Sequence, residues 1–154
     1  MHTVTDVFAG LEESLENLSL GQNRIATVVP GALARLATTL KYLDLRANRI
    51  EAIQPGMFAG LANLKGLNLS RNRIVELAPD AFAHLATLKF LYLFENEIQF
   101  VSNTVFASVC SLEEVDLGKN RIVLIEPRTF STLAHLKYLN LSENQIEFVD
   151  EAAF

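Results

Sequence analysis

Residues 64–87 read LKGLNLSRNRIVELAPDAFAHLAT. Leu67 and Leu69 alternate with Gly66, Asn68 and Ser70, and a period of two marks a strand. Leu64, Leu67, Leu69, Ile74, Leu77, Phe82 and Leu85 recur at matching places along the chain. Asparagines stand at 23, 48, 72, 96, 120 and 144, separated by one step of 25 residues and four of 24. Full units begin at Leu15, Leu40, Leu64, Leu88, Leu112 and Leu136. A partial unit, residues 1–14, precedes them, with Phe8 and Leu11 in the register of Phe58 and Leu61, and the last unit stops mid-repeat at Phe154. No single unit can bury its own apolar side chains. Stacking closes a shared core, with the strands side by side in a parallel sheet.

Backbone accounting explains the asparagines. After each strand the chain turns inward and leaves peptide groups off any ladder. A carboxamide carries two donors and an acceptor, so a column formed by Asn23, Asn48, Asn72, Asn96, Asn120 and Asn144 can serve groups in adjacent loops. Pro30, Pro55, Pro79 and Pro127 fall at one place on the return leg, where proline fixes φ and disfavours a long helix. Extended or short 3₁₀ segments are therefore expected on the convex side.

The pattern LxxLxLxxNxIxxIxPxxFxxLxx, carried by nearly the whole chain, resembles the typical 24-residue class of leucine-rich repeats. The resemblance implies an α/β right-handed solenoid, a horseshoe with a parallel concave sheet and a mostly irregular or 3₁₀ convex side. It also implies ligand recognition on the concave face and an extracellular setting, in receptor ectodomains, adhesion proteins or matrix proteoglycans. Departures are few: Leu33 stands where other units have phenylalanine, Asn103 replaces the proline, and one extra residue precedes Leu40. The cysteine-rich caps usual in extracellular members are not found, so residues 1–154 are expected to be one repeat domain cut from a longer protein.

The bulk numbers exclude several classes. No apolar run reaches the length of a membrane span, and MHTVTDVFAG is not a signal peptide. A net charge of -5 argues against nucleic acid. The lone Cys110, aligned with Ala62, Ala86 and Ala134, is expected to be a small buried hydrophobe. His2, His84 and His135 fall in no metal-ligand spacing, and no phosphate loop or nucleophile motif occurs. Glu114 and Asp116 share a strand face, but an open sheet lacks the enclosed site that tunes a carboxylate for catalysis. No enzyme, cofactor or metal is expected.

Alternation sends Phe90, Tyr92 and Phe94 to the concave side of one strand, since Leu91 and Leu93 point inward. Three neighbouring aromatics in the open mark an interface. Tyr42 and Tyr138 extend it along the sheet, and Arg46, Arg71, Glu114 and Asp116 supply a charged rim. Residues 1–77 carry a net +1 and residues 78–154 a net -6. The arginines after the asparagines (Arg24, Arg49, Arg73 and Arg121) form a column suited to a sulfated glycan or an acidic segment, or simply a solvated edge. Glu95, Glu113 and Glu143 join Glu114 and Asp116 in an acidic zone. The column Thr27, Ala52, Glu76, Phe100, Leu124, Phe148 turns apolar toward the C-terminus, as at a homodimer edge or a contact with further repeats. Asn17, Asn68 and Asn140 begin N-x-S sequons and are candidate glycosylation sites. The expected function is recognition of a protein ligand by a receptor or adhesion protein. The alternatives are a structural matrix or adhesion array, and a cytosolic scaffold or regulatory subunit.

Overall fold

The alternating segments become ten short strands in a computed structural model that describes residues 10–154. In chain order they are β1 (Asn17–Ser19), β2 (Tyr42–Asp44), β3 (Ala52–Ile53), β4 (Gly66–Asn68), β5 (Glu76–Leu77), β6 (Phe90–Tyr92), β7 (Phe100–Val101), β8 (Glu114–Asp116), β9 (Leu124–Ile125) and β10 (Tyr138–Asn140). The three-residue strands form one parallel sheet, ordered β1-β2-β4-β6-β8-β10. Its register matches the repeat: Leu43 pairs with Leu67, Leu67 with Leu91 and Leu91 with Val115. Phe8 and His2 lie outside the described residues.

The inward column of this sheet is the core. Leu67, Leu91 and Val115 are fully buried, as are Leu69, Leu93 and Leu117 two residues on. Return legs close the other side with Phe58, Phe82, Phe106 and Phe130, all buried. Phe106 stacks on Phe130 at 5.6 Å, and Phe130 on Phe154 at 5.7 Å. Each such side chain contributes roughly 1.5–3 kcal/mol by leaving water. The return legs are turns and two-residue strands, and among the described residues the one helical element is a 3₁₀ turn, Ala34–Leu36. Beside it the extra residue before Leu40 is absorbed. The Leu40 amide donates to Leu36 O, four residues back, whereas Leu64, Leu88, Leu112 and Leu136 each donate three residues back. Leu33 is buried at the position filled by phenylalanine elsewhere.

The asparagine side chains tie the strand-to-return turns together. Asn96 is typical: Nδ2 donates to Leu93 O in its own repeat and to Leu69 O in the preceding one, both at 3.0 Å, and Oδ1 accepts from Ile74 N at 3.1 Å. Asn48, Asn72, Asn120 and Asn144 repeat this set. Asn23 is exposed, and among the described residues it donates within its own turn alone. The residue before each of these asparagines has φ between 51° and 57°, although none is glycine: Gln22, Ala47, Arg71, Glu95, Lys119 and Glu143.

The second strand layer is interrupted. β3 pairs with β5 and β7 with β9, and a single bridge links Leu124 to Phe148, but among the described residues β5 and β7 form no ladder. A hollow of about 420 Å³ opens there, lined in part by Ile53, Leu77 and Phe100.

Two expected outcomes follow from this packing. Leu91→Asp buries a carboxylate in the middle of the stack and abolishes cooperative melting; a variant that melts like the wild type would contradict the inward placement of Leu91. Asn96→Ala strips partners from buried peptide groups, each costing about 1–3 kcal/mol. Asn23→Ala removes an exposed side chain that bridges no second repeat among the described residues, and costs under about 1 kcal/mol. Urea denaturation of both variants tests the contrast.

Candidate functional site

Strand β6 sends Phe90 and Tyr92 to the open face of the sheet, and Phe94 follows just beyond it, because the intervening Leu91 and Leu93 fill the core. The three rings are half-buried rather than fully in the open. Neighbouring repeats cover part of each side chain. Lys119 Nζ sits 5.4 Å from the centre of the Phe94 ring, a cation–π distance. Burial first, then the charge and acceptor oxygens of Glu114, then the charge of Asp116, push the Tyr92 phenol up from its ordinary value. Tyr42 and Tyr138, toward the two ends of the sheet, are 43% and 51% exposed.

A hollow of about 470 Å³ lies on this face. Tyr42 borders it on β2, Phe90 and Tyr92 on β6, and Asp44 and Asn68 stand on its rim. Between them is Gly66. A Cβ there would stand 2.6 Å from Tyr42 Cδ1, so the tyrosine ring lies over β4 only because that position has no side chain. Glycine within a strand often marks such a close approach. Its signal in the sequence is a glycine in the outward column between Tyr42 and Phe90.

The charges sort into pairs one repeat apart. Arg71 Nε meets Glu95 at 2.9 Å, Arg121 meets Glu97 at 3.0 Å, and Lys119 lies 4.0 Å from Glu143. Glu113 takes both Lys89 and Lys137 at 2.7 Å. Those two ammonium groups, through hydrogen bonds first, hold its carboxyl down at about 2, and Glu113 in turn raises the Lys89 amine. Arg46 Nε pairs with Asp44 at 3.2 Å. The acidic zone is thus narrower than the sequence suggests: Glu95, Glu113 and Glu143 have cations beside them. Among the described residues Glu114 and Asp116 make no ion pair. Arg24, Arg49 and Arg73 also make none there, and all three are exposed.

The remaining sequence candidates are placed as follows. Asn17 is exposed. Asn68 Oδ1 accepts from Ser70 N at 3.0 Å, and its Nδ2 has no partner among the described residues. Asn140 is engaged at both ends, accepting from Ser142 N and donating to Asp116 Oδ1, each at 2.9 Å. Phe100, Leu124 and Phe148 stand in register and are 44%, 46% and 63% exposed. Cys110 corrects an expectation: it is exposed, as are Ala62, Ala86 and Ala134. That column lies on the outside of the return leg, and the small side chains there fill no core. Among the described residues no group of three His, Cys, Asp or Glu side chains could hold a metal ion. None of the described helical segments is long and apolar enough to cross a membrane.

Comparison with protein families matches a leucine rich repeat model over residues 38–98 and 110–154, together more than half of the chain. A search of curated proteins finds no match.

The Glu113 pairing carries a pH signature. Its folded value of about 2 lies below the ordinary 4.5, so the pairing stabilises the fold above about 4.5 and is lost as pH falls through about 2. The urea-midpoint difference between wild type and Glu113→Gln should be present at neutral pH and shrink across that window. It should also shrink in about 1 M salt, which screens such exposed pairs. A difference independent of both pH and salt would remove the ion pairs as its cause.

Proposed function

The chain belongs to the leucine-rich repeat family, and we propose that it recognises a protein ligand on the open face of its six-stranded sheet, as the ligand-binding segment of a receptor or adhesion protein. Solenoids of this kind are protein-interaction modules and typically binding scaffolds rather than catalysts. The observation that carries the finer reading is the aromatic strand. Phe90, Tyr92 and Phe94 offer half-covered rings side by side next to a hollow, with Glu114 and Asp116, which make no ion pair among the described residues, one strand away. Aromatic side chains that already rest on neighbours lose little conformational freedom on binding, which suits them to anchor an interface. Tyr42 and Tyr138 widen the surface. Arg46 and Arg71, held by Asp44 and Glu95, contribute donors on the rim rather than free charge.

A second reading, a scaffold in a reducing compartment, draws on the exposed thiol of Cys110. A lone accessible cysteine is stable as a thiol in the cytosol, whereas in an oxidising compartment it pairs with another molecule.

The decisive variant is Tyr92→Ala with Phe94→Ala. A partner recovered on the wild-type chain, identified and purified, should lose at least about 2 kcal/mol of affinity for the double variant, the scale of an interface hot spot. The melting temperature should stay nearly unchanged, because the inward leucines remain in place. Full affinity in the double variant would move recognition off this face.

A further inference from the structure

Within the open-face reading, on which this inference rests, the hollow beside Gly66 has a chemistry of its own. Its apolar walls are Tyr42, Phe90 and Tyr92, and its polar rim is Asp44 and Asn68. Asp44 is neutralised by Arg46, at 3.2 Å. Asn68 spends its oxygen on Ser70 N and keeps two amide hydrogens free among the described residues, as donors for a ligand carbonyl. One wall depends on a missing side chain, because the ring of Tyr42 occupies the place of a Gly66 Cβ. Beyond the Phe90–Tyr92 wall the next strand presents Glu114 and Asp116, which make no ion pair among the described residues; Asp116 Oδ1 accepts from the neutral donors Gly118 N and Asn140 Nδ2 and keeps its charge. An apolar recess thus sits next to a localised negative charge, on a chain whose net charge is -5.

We propose that this hollow takes the aromatic side chain of an extended peptide segment in the partner, and that a basic residue two positions along the same segment pairs with Glu114 and Asp116. Strand spacing supports the interval. Gly66 and Glu114 are two strands apart in the sheet, about 10 Å. An extended peptide crossing the strands places residues i and i+2 on one face about 7 Å apart, and the length of a lysine or arginine side chain covers the rest. A hollow of 470 Å³ lies in the size range of sites that take a drug-sized group. Carboxylates without an ion-pair partner on the strand beside the hollow select the basic neighbour by attraction and reject an acidic one by repulsion.

The chain contains no tryptophan, so the emission of a tryptophan peptide reports the peptide alone. The probe is the capped peptide Gly-Trp-Gly-Arg-Gly, titrated with the protein. Binding should be saturable, with a blue shift of the emission as the indole leaves water. Exchanging the arginine of the probe for glutamate should weaken it by at least about tenfold, and Gly66→Ala in the protein by a similar factor. In Gly66→Ala the added methyl displaces the half-exposed Tyr42 ring and leaves the core leucines alone, so its melting curve should match the wild type. If the curve shifts instead, Tyr42→Leu replaces it in the test. The double variant Glu114→Gln, Asp116→Asn should bind the arginine and glutamate probes alike. The proposal is overturned by the absence of saturable binding, by a Gly66→Ala or Tyr42→Leu variant that binds the probe undiminished, or by equal binding of the two probes to the wild type. The broader reading is separable. A partner lost on Tyr92→Ala with Phe94→Ala but retained on Gly66→Ala removes only the hollow. A partner retained by both variants removes the open-face reading as well.

Discussion

A peptide group turned into the core must find a hydrogen-bond partner, and the asparagine column is how this chain meets that demand. At each turn the Leu carbonyls at the strand end and the Ile amide beyond it lie off the sheet ladder. One carboxamide serves groups in its own repeat and in the one before it, as Asn72 does for Leu69, Leu45 and Ile50. The turn that aims the amide inward is itself strained: the preceding residue adopts a positive φ although it is Gln22, Ala47, Arg71, Glu95, Lys119 or Glu143. That conformation costs about 1–2 kcal/mol for a residue with a Cβ. The hydrogen bonds made by the amide offset it, since leaving such groups unpaired costs as much or more. Strand, turn and return leg are therefore spaced by one interaction that has to recur at every repeat.

That requirement is why the fold was legible. Alternating leucines and evenly spaced asparagines specify the parallel sheet, its register and its inward face. The return-leg prolines, Pro30, Pro55, Pro79 and Pro127, predict a return leg with little helix. Position-specific detail was harder to read. An alanine column does not reveal whether it faces core or water, because a methyl group suits both, and Cys110 was misplaced by alignment with Ala62, Ala86 and Ala134. The extra residue before Leu40 was visible, but its accommodation was not: it depends on a choice between bonds three or four residues back near a 3₁₀ turn. The gap between β5 and β7 has no counterpart in the repeat pattern of the sequence.

For the open face, periodicity assigned each residue a side but not a degree of cover. Phe94 has Lys119 beside its ring, and Tyr92 faces the strand of Glu114 and Asp116, in each case from the neighbouring repeat. Charge was misread for a related reason. Summing acids over the second half of the chain suggests a broad negative zone. Comparing each column with itself one repeat later finds Arg71 facing Glu95, Lys89 facing Glu113 and Lys119 facing Glu143. In a stacked array the informative neighbour of a residue is the one a full period away, and local composition averages it out.

The same geometry separates recognition from stability. Repeats contact only their neighbours, so the energy of the stack is close to a sum of repeat and interface contributions from the inward columns and the asparagines. The outward columns are released from that duty, and their variation along the chain is tolerated by the frame beneath. Gly66 shows the limit of this freedom. It is an outward position held open by the choice of residue, and its neighbour Tyr42 occupies the space. Where a repetitive frame departs from its pattern at an outward position without disturbing the column below, the departure changes the shape of the surface while the fold stays the same. On this chain two such departures, the glycine of β4 and the aromatic run of β6, lie on adjacent strands, and both contribute to the lining of the hollow.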